Sequence, residues 1–301
     1  MAHIPDGFLS PAVLAGTAVA SGAALAFAAR RTRAALAERQ LPLLGAVTAF
    51  VFAAQLFNFP LAAGTSAHLL GGVLVAVLAG PWVAMLVVFS VLLVQALLFQ
   101  DGGIAALGAN TLNLAVLGAG GGWVAFRYLL LLLGGSPRSR LAAAALAGWA
   151  SAVLTGVAVA LELALSGAVS TGPGLAVVGG AHLLVGVAEG AITAGVLSLL
   201  WRARPDLAAG LPAAGVAARR WAWGVTGAAV AVAALAGHFA SARPDVLEAA
   251  AEQFGLHERV LLAAPFPGYE GLVGGPWGVA LLGVLAGFAL AWLLLRSFAR
   301  R

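Results

Sequence analysis

The chain has 301 residues, of which 62% are hydrophobic and only 9% charged, with a mean hydropathy of +1.03. These values exclude a soluble globular protein and describe a polytopic membrane protein. The net charge of +5 comes from arginine without any lysine, in short clusters rather than a nucleic-acid-binding stripe; the absence of cysteine rules out disulfides, thiolate metal sites and a cysteine nucleophile.

The first eight residues, Met1-Ala2-His3-Ile4-Pro5-Asp6-Gly7-Phe8, put a histidine beside an amino terminus and then stop any helix. Pro5 fixes its own φ and pushes Ile4 out of helical geometry, and Asp6-Gly7 is a turn dipeptide, so a compact non-helical plug is expected. An amine, a backbone amide nitrogen and an imidazole on adjacent residues form fused chelate rings that suit Ni(II) or Cu(II). If Met1 is removed, the Ala2 amine, the His3 amide nitrogen and the His3 ring leave one planar position for another histidine; if Met1 stays, four nitrogens fill the plane unaided. The start has no basic n-region, so no cleaved signal peptide is expected.

Nine apolar stretches follow, at 8–29, 42–62, 68–80, 82–99, 107–133, 141–165, 179–201, 221–239 and 277–295. About twenty apolar residues cross a bilayer, so an all-α fold of about nine transmembrane helices is expected, the third, ending at Gly80-Pro81, being short enough to be a half-helix. With the amino terminus outside, Arg30, Arg31, Arg33, Arg39, Arg138, Arg140, Arg202, Arg204, Arg219, Arg220, Arg296, Arg300 and Arg301 fall on the cytoplasmic side, as the positive-inside rule requires. Asp6, Asp101, Asp245, Glu248, Glu252, Glu258 and Glu270 then fall on the outer face. Glycines and alanines four apart (Gly16/Ala20, Gly118/Gly122, Gly186/Gly190, Gly283/Gly287) offer close helix contacts.

Residues 1–201 read as one module with seven helices and 202–220 as a cytoplasmic linker. Residues 221–301 read as a second module of two helices with an outer loop at 241–276 and a cytoplasmic C-terminus. Within that loop, Val246, Leu247, Ala250 and Phe254 are spaced for a short amphipathic helix on the outer membrane surface.

His68, within Gly64-Thr65-Ser66-Ala67-His68, falls at the same outer mouth as His3, with Gln55 and Asn58 near the same level. It is the second metal-ligand candidate. His182 and Glu189 share one face of the seventh span, where ionisable groups normally face the bundle interior. They are expected to support the metal or to lock helices with Asn110 or Asn113, while Glu162, near a helix end, needs no special role. A gradient-coupled metal permease would instead use His182 and Glu189 as a proton relay. Ser66 beside His68 is not the G-x-S-x-G elbow of a hydrolase.

These residues resemble a known family, the NikM/CbiM substrate-binding components of energy-coupling-factor importers for nickel and cobalt. The matching residues are His3-Ile4-Pro5-Asp6-Gly7-Phe8-Leu9, Gln55 with Asn58 and Pro60, Gly64-Thr65-Ser66 with His68, Gly71-Gly72, Gly80-Pro81, Gln100-Asp101-Gly102-Gly103, Gly108-Ala109-Asn110, and His182 with Gly186 and Glu189. The second module is similar to the small NikN/CbiN partner, through Pro244-Asp245-Val246-Leu247-Glu248 with valine in place of the motif glycine, and Pro265-Phe266-Pro267-Gly268-Tyr269. The resemblance implies a metal site of Ala2, His3 and His68, with Ala2 standing where the family has Met1, supported by Asp6, Gln55, Asn58, Asn110, His182 and Glu189. It implies no enzyme activity and no cofactor, Ni(II) or Co(II) as transported substrate, a transmembrane coupling subunit of NikQ/CbiQ type, and two cytoplasmic ATPases of NikO/CbiO type. No G-x-x-x-x-G-K-[ST] loop is present, so ATP must be hydrolysed elsewhere. A planar four-nitrogen site and the Ile-Pro-Asp-Gly start lean towards nickel.

Overall fold

The structure is a computed structural model that describes residues 3–36, 38–61, 64–210, 216–269 and 276–297. Met1, Ala2, Glu270, Arg300 and Arg301 lie outside the described residues. Helix α1 spans Pro11–Ala35, three residues later than the apolar run begins, because Ser10 caps it and Pro11 takes the first helical position. Phe8 and Leu9 belong instead to the buried plug.

Helix α2 is Leu41–Leu56, and a two-residue hairpin of β1 (Phe59–Pro60) and β2 (Ser66–Ala67) follows it. The third expected span contracts to the eight-residue α3 (Gly72–Ala79), about 12 Å long. It does not cross a membrane. Gly71 at φ 74 starts it, and Gly80 at φ 83 ends it just before Pro81 opens α4 (Pro81–Phe99). Next come α5 (Leu107–Leu133), α6 (Pro137–Leu165) and α7 (Thr171–Ala203), and after the linker α8 (Val216–Phe239), α9 (Val246–Phe254) and α10 (Pro276–Arg296). Among the described residues, six helices (α1, α4, α5, α6, α7 and α10) are long and apolar enough to cross a bilayer, and α2 and α8 carry shorter apolar stretches. The chain is an all-α polytopic membrane protein.

In lipid, helices associate by close packing rather than by a hydrophobic force, so small residues decide where they touch. A Cβ on Gly190 would lie 2.3 Å from the Ala145 carbonyl oxygen, and one on Gly186 would lie 2.8 Å from Trp149, which joins α7 to α6. One on Gly283 would lie 2.1 Å from Phe52, so α10 crosses α2 there. Gly16 faces open space. Helices α8 and α10 both pack on α2, which ties the C-terminal segment to the N-terminal helices.

Helix α9 departs from its expected place on a membrane surface. Asp245 and Glu248 form a reciprocal capping box, and Val246, Leu247, Ala250 and Ala251 are buried in the protein core, so the apolar stripe is covered by protein rather than lipid. At the end of the bundle away from the plug, Arg31, Arg140, Arg204 and Arg296 lie over Trp82, Trp201, Trp221 and Trp292, at 5.0 to 5.9 Å from the ring centres.

Candidate metal centre

The plug of residues 3–9 enters the bundle beside the turn 101–106. Asn110, on α5, reads its backbone from both sides: its Oδ1 accepts from the Ile4 amide at 2.7 Å and its Nδ2 donates to the Ile4 carbonyl at 3.0 Å. The same carbonyl accepts from the Gly103 amide at 2.9 Å. The carboxylate of Asp6 accepts from the amides of Ile104 and Ala106, each at 3.0 Å. Only glycine fits at 103, because a Cβ there would lie 2.0 Å from the Asp6 carboxylate. Asp6 and Asn110 therefore position the plug by holding main chain.

This anchoring leaves His3 buried beside His68, with ring centres 5.5 Å apart and planes tilted by 55°. His3 Nδ1 lies 2.7 Å from Asp101 Oδ1, and His68 Nδ1 lies 2.8 Å from the Leu69 carbonyl. Both partners are acceptors, so both Nδ1 atoms carry a proton. Neither Nε2 has a partner, although each is fully buried. Orphaned buried polar atoms are rare in native proteins, and two on adjacent imidazoles mark a place where a ligand fits. Burial and the neighbouring His3 hold the His68 imidazole well below its usual range, which keeps it neutral. Among the described residues, no group of three His, Asp or Glu side chains could hold a metal ion.

Glu189 reaches from α7 to the loop that carries His68. Its carboxylate accepts from the Leu70 amide at 2.7 Å and the Gly71 amide at 3.0 Å. The Leu70 carbonyl takes the Gln55 side chain at 2.9 Å, and Gln55 accepts from Gln95 at 2.9 Å. His68 is thus fixed by two helices that do not carry it. The Asn58 carbonyl accepts from the Ser241 amide at 2.8 Å. His182 does not join this group: its Nδ1 donates to the Val178 carbonyl at 2.7 Å, and its ring fills the space that a side chain at Gly156 would take. Both Glu189 oxygens accept from amides, so the two residues have separate hydrogen-bond partners. Asn113 pairs not with them but with Glu162, at 2.7 Å, so Glu162 locks α6 to α5. Ser66 donates to the Arg243 carbonyl at 2.8 Å.

Two residues of the site were legible only as motif letters. Asp101 accepts from His3 and also from the Tyr269 hydroxyl. Burial opposes its ionisation, but His3 and the two hydrogen bonds outweigh it and hold the carboxyl well below the usual carboxylate range. Burial and the adjacent Asp101 push the Tyr269 phenol up, so it remains a donor. Above the histidines, a cavity of about 670 Å³ is lined by Gln55, Asn58, Asp101, Asp245, Glu248 and Glu258 among others, an acidic approach for a cation.

The sequence matches the family model CbiM, described as the cobalt uptake substrate-specific transmembrane region, over residues 3–207. A putative fused nickel transport protein NikMN of Archaeoglobus fulgidus is 37% identical over 277 residues, covering 90% of this chain and 86% of that one. A putative metal transport protein of Haloquadratum walsbyi is 41% identical over 207 residues, covering 68% and 92%. The crystal structure of a truncated transition metal transporter superposes with a TM-score of 0.61 at 32% identity, over 67% of this chain and 99% of the other.

Proposed function

The chain belongs to the CbiM family of cobalt and nickel transport components, and from that premise we propose that it captures Ni(II) or Co(II) at the plug end of the bundle and passes it across the membrane. It is a multi-pass membrane transport component and not an enzyme. The observation that carries the proposal is the buried His68 imidazole, whose Nε2 has no partner, set with its ring centre 5.5 Å from that of the plug residue His3.

In this reading the Ala2 amine, the His3 amide nitrogen, the His3 ring and His68 Nε2 surround the metal. A chelate that uses the His3 amide must take Nδ1 of the same residue, since only that atom closes a six-membered ring. The plug end faces outside, where the acidic cavity gathers cations, and the arginine-rich end faces the cytoplasm. There it meets a transmembrane coupling subunit and two ATPase subunits, which supply the energy. Residues 1–201 act as the metal-binding module and 221–301 as its fused partner.

The test is metal accumulation by cells that express the chain with such a coupling subunit and ATPases. Uptake of Ni(II) or Co(II) above the vector control, lost in His68→Ala and lost without the ATPases, is expected. Equal uptake without the ATPases would contradict the energy source.

A further inference from the structure

Resting on the metal reading above, we propose that Asp101 and Tyr269 form a latch sensitive to loading: Asp101 occupies the His3 nitrogen that the metal must take, and Tyr269 holds Asp101 there. His3 Nδ1 donates to Asp101 Oδ1 at 2.7 Å, while the ring atom left without a partner is Nε2. The chelate through the His3 amide needs Nδ1. Coordination therefore releases the His3 amide proton to solvent, leaves the imidazole proton on Nε2 rather than Nδ1, and breaks the bond to Asp101.

The released carboxylate keeps its hydrogen bond from Tyr269. That residue belongs to the segment between α9 and α10, 168 residues away in sequence. Its ring is stacked on the fully buried Phe99 of α4 at 4.7 Å and 21°. The adjoining Phe266 amide donates to the Leu98 carbonyl at 3.0 Å. Tyr269 also stands at φ 60, a conformation that a bulky side chain keeps only where its surroundings enforce it. A strained, stacked phenol on the carboxylate that the metal displaces couples loading to the C-terminal segment.

The chain has two tyrosines, Tyr269 and the exposed Tyr128, so 3-fluorotyrosine labelling of the full chain gives two fluorine resonances that Tyr128→Phe assigns. On saturation with Ni(II), verified by metal analysis, the Tyr269 resonance moves and that of Tyr128 does not. In Asp101→Asn the Tyr269 shift per bound Ni(II) is lost, because the latch has been removed. An unmoved Tyr269 in the loaded wild type overturns the proposal, and this comparison stands without the variant. So does a response that persists in Asp101→Asn, which makes it a through-space effect of the metal, or a variant that keeps the Tyr128 resonance but takes up no metal, which makes Asp101 part of the loaded site. Failure of the wild type to bind Ni(II) or Co(II) sinks the metal reading itself.

Discussion

The Glu189 carboxylate holds the Leu70 amide at 2.7 Å, and through it a transmembrane helix fixes the loop that carries His68. Both of its oxygens are used, since Gly71 donates to the other at 3.0 Å. Glutamine at 189 offers one acceptor and turns an NH₂ group on the second amide. Leaving a buried amide unpaired costs about 1–3 kcal/mol. Glu189→Gln should therefore lower the thermal midpoint in detergent and weaken metal binding by roughly tenfold. Wild-type affinity in this variant would remove Glu189 from the support of the site.

Asn110 closes two hydrogen bonds on Ile4, so Asn110→Ala should free the plug while leaving α5 in place. Hydrogen exchange of peptides covering residues 3–9 should rise well above wild type, with α5 peptides unchanged. An unaltered plug would mean that the amides on Asp6 and the Gly103 contact suffice.

The His68 imidazole is held below its ordinary range in the folded protein, so the unfolded chain binds more protons between that lowered value and about 6.5. Stability from this group is complete above the unfolded value and is lost as pH falls below it. The metal-free protein should have a thermal midpoint that drops from about pH 7.5 to about pH 5.5, and His68→Asn should flatten the drop. Parallel curves would place the loss on other groups.

At the helix crossing, Gly283→Val would set its first carbon against Phe52, whereas Gly287 has its nearest such neighbour at 3.8 Å. Overpacking of this kind costs about 1–3 kcal/mol. Gly283→Val should lower the thermal midpoint and Gly287→Ala should not.

Most of this architecture is written locally. Long apolar runs specify the membrane helices, and Pro5, Gly7 and the placement of His3 specify the plug. His68 and Glu189 are visible because ionisable groups in apolar surroundings need a purpose, but what Glu189 holds, two amides 118 and 119 residues away, is not. Asp101 and Tyr269 have no periodicity or spacing that joins them, since their contact depends on how the segment after α9 folds back over the plug. The same segment explains α9: its stripe matches a membrane-surface helix equally well, and only the packing of its Val246, Leu247 and Ala250 decides for protein. The shortness of α3 follows from Gly71 and Gly80, whose left-handed backbone stops an apolar run that composition alone would extend.

The central claim, that His3 and His68 share one metal, is tested most directly by Ni(II) and Co(II) binding isotherms of the purified chain, read together with its amino-terminal mass. One metal per chain in the wild type, lost in His3→Ala, in His68→Ala and in a form extended at the amino terminus, with Ala2 as the first residue, is the expected result. Full binding by His68→Ala would contradict it.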